Sequence, residues 1–166
     1  MILRLAKTAL VFAVAFYAAL IVFNNLFDYQ TNYQFVRHVM AMDSIFENSR
    51  VTWRAVSSPT WHALFYWVII GSEAASAVLC WWGAVQLLRS LNADALTFRK
   101  AKDIAIAGLT LNLLIWLLAF LSVGGEWFLM WQSKIWNGQE AAFRMFCVVG
   151  IVLLLLSQTE AAVDRV

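Results

Sequence analysis

Four apolar segments, each long enough to cross a lipid bilayer as a helix, constrain this chain more than any other feature. A hydrocarbon core about 30 Å thick requires roughly 20 residues of helix. The sequence predicts spans at residues 8–27, 61–88, 104–123 and 141–157. Because backbone groups in hydrocarbon must pair within the protein, the spans must be helical. We therefore predict an all-α, four-helix transmembrane bundle forming a single integral membrane domain over residues 1–166.

Composition supports this class of protein and excludes others. Hydrophobic residues make up 63 % of the chain and charged residues 13 %, whereas soluble domains are about half apolar and about one quarter charged. The net charge of +2 comes without a dense basic cluster, so no nucleic-acid partner is expected. Cys80 and Cys147 lie in apolar runs without a CxxC pair, which excludes a disulfide scaffold or a cysteine metal motif.

Positive charges near the helix ends predict the orientation. One side collects Arg4, Lys7, Arg89, Arg99, Lys100, Lys102 and Arg165. The other side collects Arg37, Arg50, Arg54, Lys134 and Arg144. The first apolar segment is too long for a typical signal-peptide core, so we expect it to be retained. The prediction is a multi-pass protein of the bacterial inner membrane with both termini cytoplasmic and residues 28–60 on the outer face.

Within the outer segment 28–60, residues 32–46 have the pattern of an amphipathic helix. Its apolar residues Phe35, Val39, Met42 and Phe46 recur at i, i+4, i+7 and i+11. Such a helix can lie on the bundle or in the membrane interface. Alternatively, this apolar face is a docking surface for a partner protein or a lipid.

Polar side chains inside the spans predict an intramembrane seam, because such groups are costly unless they face protein or water. The members expected to line it are Tyr17, Asn24, His62, Tyr66, Glu73 and Asn112. Glu73 lies near mid-membrane in a run of small residues, and we predict that it hydrogen-bonds Asn112. Three roles are open for Glu73: a protonated glutamate that holds helices together, a proton or cation site, or a site that pairs with another subunit.

No catalytic constellation is recognisable in the sequence, since it contains no HExxH, P-loop or GxGxxG motif. The two histidines, His38 and His62, both fall on the predicted outer side. They leave open a haem- or quinone-linked redox role. We predict no cofactor and no metal, and an enzymatic role has no support.

The outer segment also carries a longer pattern, Asn24-Asn25-x-x-Asp28-Tyr29-x-Thr31-Asn32-x-x-Phe35-Val36-x-His38-Val39-x-x-Met42-Asp43, followed by Trp53-Arg54-Ala55 and Tyr66-x-x-Ile69-Ile70-x-x-Glu73. This resembles the bacterial family of predicted small integral membrane proteins named for domain of unknown function 2165. The resemblance covers nearly the whole chain and implies a four-helix protein. It also implies that Asn25, Asp28, Asn32, His38 and Asp43 belong to one pattern with Glu73. The family name supplies no activity or cofactor.

Three functions are compatible with these features. We expect a non-catalytic accessory or assembly subunit of a larger membrane complex, for example a respiratory one, with a membrane-protein partner or a second copy of itself. The first alternative is a small transporter or channel that uses Glu73 and Asn112. The second is a haem- or quinone-linked redox protein that uses His62 and Tyr66.

Overall fold

A computed structural model describes residues 1–159, and helices dominate this part of the chain. The longer helices are α1 (Ile2–Phe27), α2 (Tyr29–Ala41), α3 (Pro59–Arg89), α4 (Ala95–Leu114) and α5 (Gln139–Ser157). Helix α4 continues as a π-helix over Ile115–Trp127, and short 3₁₀ turns occupy Thr52–Arg54 and Met130–Gln132. Residues 1–159 contain no strand. Arg165, one of the predicted inner basic residues, lies outside the described residues.

The predicted fold class is confirmed. Helices α1, α3, α4 with its π extension, and α5 are each long and apolar enough to cross a membrane. The amphipathic helix predicted between the first two spans is α2. The membrane-crossing part of the molecule is therefore a bundle of four apolar helices, with α2 packed against it.

A side-chain hydrogen bond caps the start of α4 but not the start of α3. Pro59 occupies the first turn of α3 after Ser58, although the Ser58 side chain makes no capping hydrogen bond. Helix α4 begins well before residue 104 because the Asp94 side chain accepts a hydrogen bond from the Thr97 amide at 2.9 Å. The amide and hydroxyl of Thr97 hold the pKa of the Asp94 carboxyl below its ordinary value. This cap is therefore present at neutral pH and is lost as acid protonates the carboxyl.

Helix α3 is the centre of the bundle, since it packs against α1 on one side and α4 on the other, while α5 packs on α4. Small residues permit the close approach of α3 and α4. Gly83 lies against the Ala105 backbone, and Gly108 lies against Cys80. The surrounding core consists of Val11, Val14, Ala15, Cys80, Ala84, Leu87, Phe98, Ala105, Leu109, Val149, Val152 and Leu156.

Helix α2 turns its apolar face toward the rest of the chain. Val39 and Met42 are buried in a second cluster with Phe128 and Met130, and Phe35 packs against that cluster. Of the four residues predicted as a docking surface, Phe46 is the exposed one, at 56 %. The helix predicted over residues 32–46 is present only as far as Ala41, and Met42 and Phe46 lie beyond its end. Much of the predicted docking surface is covered by this chain's own residues 128–136.

Gly83→Ala is expected to lower the thermal unfolding temperature of the protein in detergent. The added Cβ would overlap the Ala105 backbone, and overpacking of this kind costs about 1–3 kcal/mol. Gly71→Ala is the matched control on the same helix, because its Cβ would meet no atom within 4 Å. Equal melting temperatures for the two variants would contradict the close α3–α4 contact.

Candidate functional site

The polar residues inside the bundle form two clusters, one at the contact of α3 with α1 and one at the contact of α3 with α4. The first joins α3 to α1. The Asn25 side-chain amide donates to Glu73 Oε2 at 2.6 Å, and the Tyr66 hydroxyl donates to the Asn25 backbone carbonyl at 3.0 Å. Glu73 is only 4 % exposed, and Tyr66 is also buried. The carboxyl group therefore lies in an apolar interior with an amide donor supplied by the neighbouring helix.

The second cluster joins α3 to α4. The Asn112 amide donates to Ser76 Oγ at 3.0 Å, and the Ser76 hydroxyl donates to the Gly108 carbonyl at 3.1 Å. The Asn112 side-chain carbonyl accepts from Trp116 Nε1 at 2.9 Å. Donor and acceptor ends of Asn112 are thus both paired, which is typical of a polar group that holds helices together.

The predicted hydrogen bond between Glu73 and Asn112 is wrong. Ser76, one helical turn further along α3, faces α4 and pairs with Asn112. Glu73 faces α1 and pairs with Asn25. The sequence placed both residues near the middle of their spans, but the partner that each finds is on a different helix: α1 for Glu73 and α3 for Asn112.

The remaining predicted seam residues on α1 are not buried with Glu73. Tyr17 is 37 % exposed, and Asn24 is exposed as well. Glu73 and Arg144 of α5 lie within electrostatic range of the Tyr17 hydroxyl. These side chains therefore border the Glu73 cluster from the outside of the bundle.

The residues of the outer-segment pattern have separate local partners. Asn32 donates to the backbone carbonyl of Asp28 at 3.3 Å, at the junction of α1 and α2. His38 Nδ1 lies 2.6 Å from Asp43 Oδ2, and the His38 ring stacks on Trp136 with centroids 4.5 Å apart. Asn25 is thus hydrogen-bonded to Glu73, whereas His38 contacts Asp43 and Trp136.

Each histidine already uses one ring nitrogen within the chain. His62 Nε2 donates to the Val56 carbonyl at 2.6 Å, and its buried Nδ1 has no hydrogen-bond partner. Within residues 1–159, no group of three or more His, Cys, Asp or Glu side chains is placed to hold a metal ion. His62 therefore links α3 to the connection before it.

Two participants escaped the sequence reasoning. Asn25 was assigned to the outer pattern rather than to the seam, although it neighbours Asn24. Trp116 has an ordinary residue type for an apolar helix. The sequence places Ser76 on the flank of the polar face of α3, but nothing in its spacing indicates Asn112 as the partner. Chemically, the Glu73 cluster is a single buried carboxyl group with an amide and a phenol nearby. It contains no nucleophile paired with a base.

Asn25→Ala is expected to destabilise the protein by about 0.6–1.7 kcal/mol, the range for interhelical hydrogen bonds in membranes. The change leaves the Glu73 carboxyl without its Asn25 donor. Denaturant unfolding in mixed micelles would measure the loss. Asn92→Ala, at an exposed position between α3 and α4, is the control. Combining Asn25→Ala with Glu73→Leu should cost less than the sum of the single changes, and strict additivity would contradict the pairing.

Comparison with known proteins places this architecture in a family. A family model described as "Predicted small integral membrane protein (DUF2165)" matches residues 3–159. Comparison with the curated proteins and with the solved structures found no match. The family match agrees with the resemblance carried by the outer segment and Glu73. On that match and on its four apolar helices, the chain belongs to this family of small integral membrane proteins, domain of unknown function 2165.

Proposed function

We propose that this protein is a non-catalytic accessory or assembly subunit that binds another membrane protein through the α1/α5 side of its bundle. The observation that carries the proposal is a set of exposed polar side chains on that side. Tyr17 and Asn24 lie seven residues apart on one face of α1, and Arg144 of α5 lies near Tyr17.

Polar groups exposed at these positions favour a protein partner over lipid. An amide or hydroxyl in hydrocarbon loses its hydrogen bonds to water, and a charged side chain costs several kcal/mol near the bilayer centre. Membrane helices therefore turn such groups toward other helices, where they hydrogen-bond. The α2 face that the sequence suggested for docking is occupied by the chain itself, so the partner surface is assigned to α1 and α5.

The orientation belongs to the same proposal. We place both termini on the cytoplasmic side of a bacterial inner membrane. Arg4 donates to the carbonyls of Leu91 and Ala93 at 3.0 and 2.6 Å. This gathers the start of α1 and the short basic α3–α4 connection at one end of the bundle. A basic end of this kind supports a cytoplasmic location under the positive-inside rule.

The Glu73 cluster supports a second candidate, a small proton-linked transporter. A carboxyl group buried inside a membrane span is typical of proton pathways, and Glu73 is held by Asn25 rather than by Asn112. Because four helices leave little room for a pathway, this candidate requires self-association through the same α1/α5 side.

Native mass measurement of the tagged protein, extracted at its natural expression level in mild detergent, tests the first proposal. We expect a stoichiometric complex with a different membrane protein. The double change Tyr17→Phe with Asn24→Leu should weaken it at least tenfold, because both removed groups face the proposed partner. Asn92→Leu is the control for an exposed asparagine outside this surface.

Two outcomes would overturn the accessory-subunit proposal. A monomer would contradict any stable partner on the α1/α5 side. A homo-oligomer would favour the transporter, and proton flux into liposomes would then decide the matter. Flux that is lost in Glu73→Gln would support the second candidate, and unchanged flux would exclude a proton role for Glu73.

A further inference from the structure

An apolar groove of about 290 Å³ runs between α2, α3 and the π-helical end of α4. All the side chains that line the groove are apolar. They include those of Val36, Val39, Phe65, Val68, Ala119 and Val123. The groove opens to the outside of the bundle, where Val68 is 59 % exposed. The groove volume is close to about 300 Å³, which is the lower end of the range for small-molecule binding sites. With no polar lining group, it suits a hydrocarbon chain.

The π-helix shapes this groove. Phe128 donates its amide to the Val123 carbonyl, a bond between residues five apart. π-Helices are rare and usually a single turn long, and they are often found at functional sites. Here the π-helical segment covers Ile115–Trp127 and contributes Ala119 and Val123 to the groove wall.

A cationic group lies beside the groove. The Arg54 guanidinium is 4.6 Å from the Trp127 ring and 5.5 Å from the Trp53 ring. Trp127 precedes Phe128, which lines the groove. Val56, two residues after Arg54, donates its amide to the carbonyl of Met40, another lining residue. Arg54 does not itself line the groove, but these contacts connect it to the groove wall at Phe128 and at Met40.

The Arg54 guanidinium has little to bind within the chain. Its described hydrogen bond is a long one, 3.5 Å, to the Trp127 carbonyl. Its Nε atom is buried without a partner. In residues 1–159 the ion pair found is that of His38 with Asp43, so no carboxylate there neutralises Arg54. A guanidinium without a carboxylate partner is well suited to bind phosphate oxygens, here through its terminal nitrogens because the Nε atom is buried.

We infer that the groove and Arg54 form a binding site for a glycerophospholipid, with the phosphate on Arg54 and an acyl chain in the groove. Charge complementarity selects this occupant, because an apolar segment of a protein would fill the groove but leave Arg54 without an anion. Trp53 and Trp127 fit the same position, since tryptophans concentrate at the level of the lipid headgroups. This site lies on the α2–α3–α4 side and is independent of the proposed α1/α5 partner surface.

Native mass spectrometry of the delipidated protein, titrated with phosphatidylglycerol, tests the inference. Diacylglycerol with the same acyl chains is the comparison ligand, because it lacks the phosphate. We expect wild-type protein to bind phosphatidylglycerol at least tenfold more tightly than diacylglycerol. Arg54→Gln should remove that preference. Arg50→Gln is the matched control, since Arg50 is an exposed arginine in the same connection and has no described contact.

A second variant tests the apolar half of the site. Ala119→Trp should fill the groove and weaken phosphatidylglycerol binding at least tenfold while Arg54 is unchanged. Circular dichroism melting of each variant verifies folding. The inference is overturned if Arg54→Gln binds like Arg50→Gln, if diacylglycerol binds as tightly as phosphatidylglycerol, or if Ala119→Trp binds like wild type.

Discussion

Hydrocarbon offers no hydrogen bonds, and this single constraint shapes the whole protein. Backbone groups meet it by forming four long helices. Side chains meet it by pairing across helices, as Asn25 does with Glu73 and Asn112 does with Ser76. Both pairs involve α3, so the polar groups that would be costly in lipid become the contacts that hold α1 and α4 against the central helix.

Close packing and polar pairing support each other along α3. The Gly108–Cys80 contact brings the α4 backbone near α3, and the Gly108 carbonyl then accepts the Ser76 hydroxyl. Where the helices approach less closely, toward the π-helical end of α4, the apolar groove opens beneath α2. The same pair of helices thus provides a dense contact at one level and a cavity at another.

Helix α2 has a different role from the one suggested by its periodicity. Its repeat of apolar residues predicted a helix correctly as far as Ala41, since a period near 3.6 is a property of one segment alone, but Met42 and Phe46 lie beyond the helix. The periodicity could not say what covers the face. In the folded chain, Val39 and Met42 pack on residues 128–136, which lie far along the sequence. That long-range contact also brings Met40 and Phe128 together in one wall of the groove.

Hydropathy and spacing by themselves determined the four apolar helices, the helix between the first two, and the buried position of Glu73, because each depends on neighbours within one segment. Tertiary structure decided which partner each polar group finds. Sequence gives a residue's depth and helix face but not the rotation of one helix against another. From sequence alone, Glu73 and Asn112 were expected to pair because both fall near the middle of their spans. In the folded chain, the rotation of α3 places Glu73 against Asn25 of α1, and Asn112 pairs with Ser76 instead.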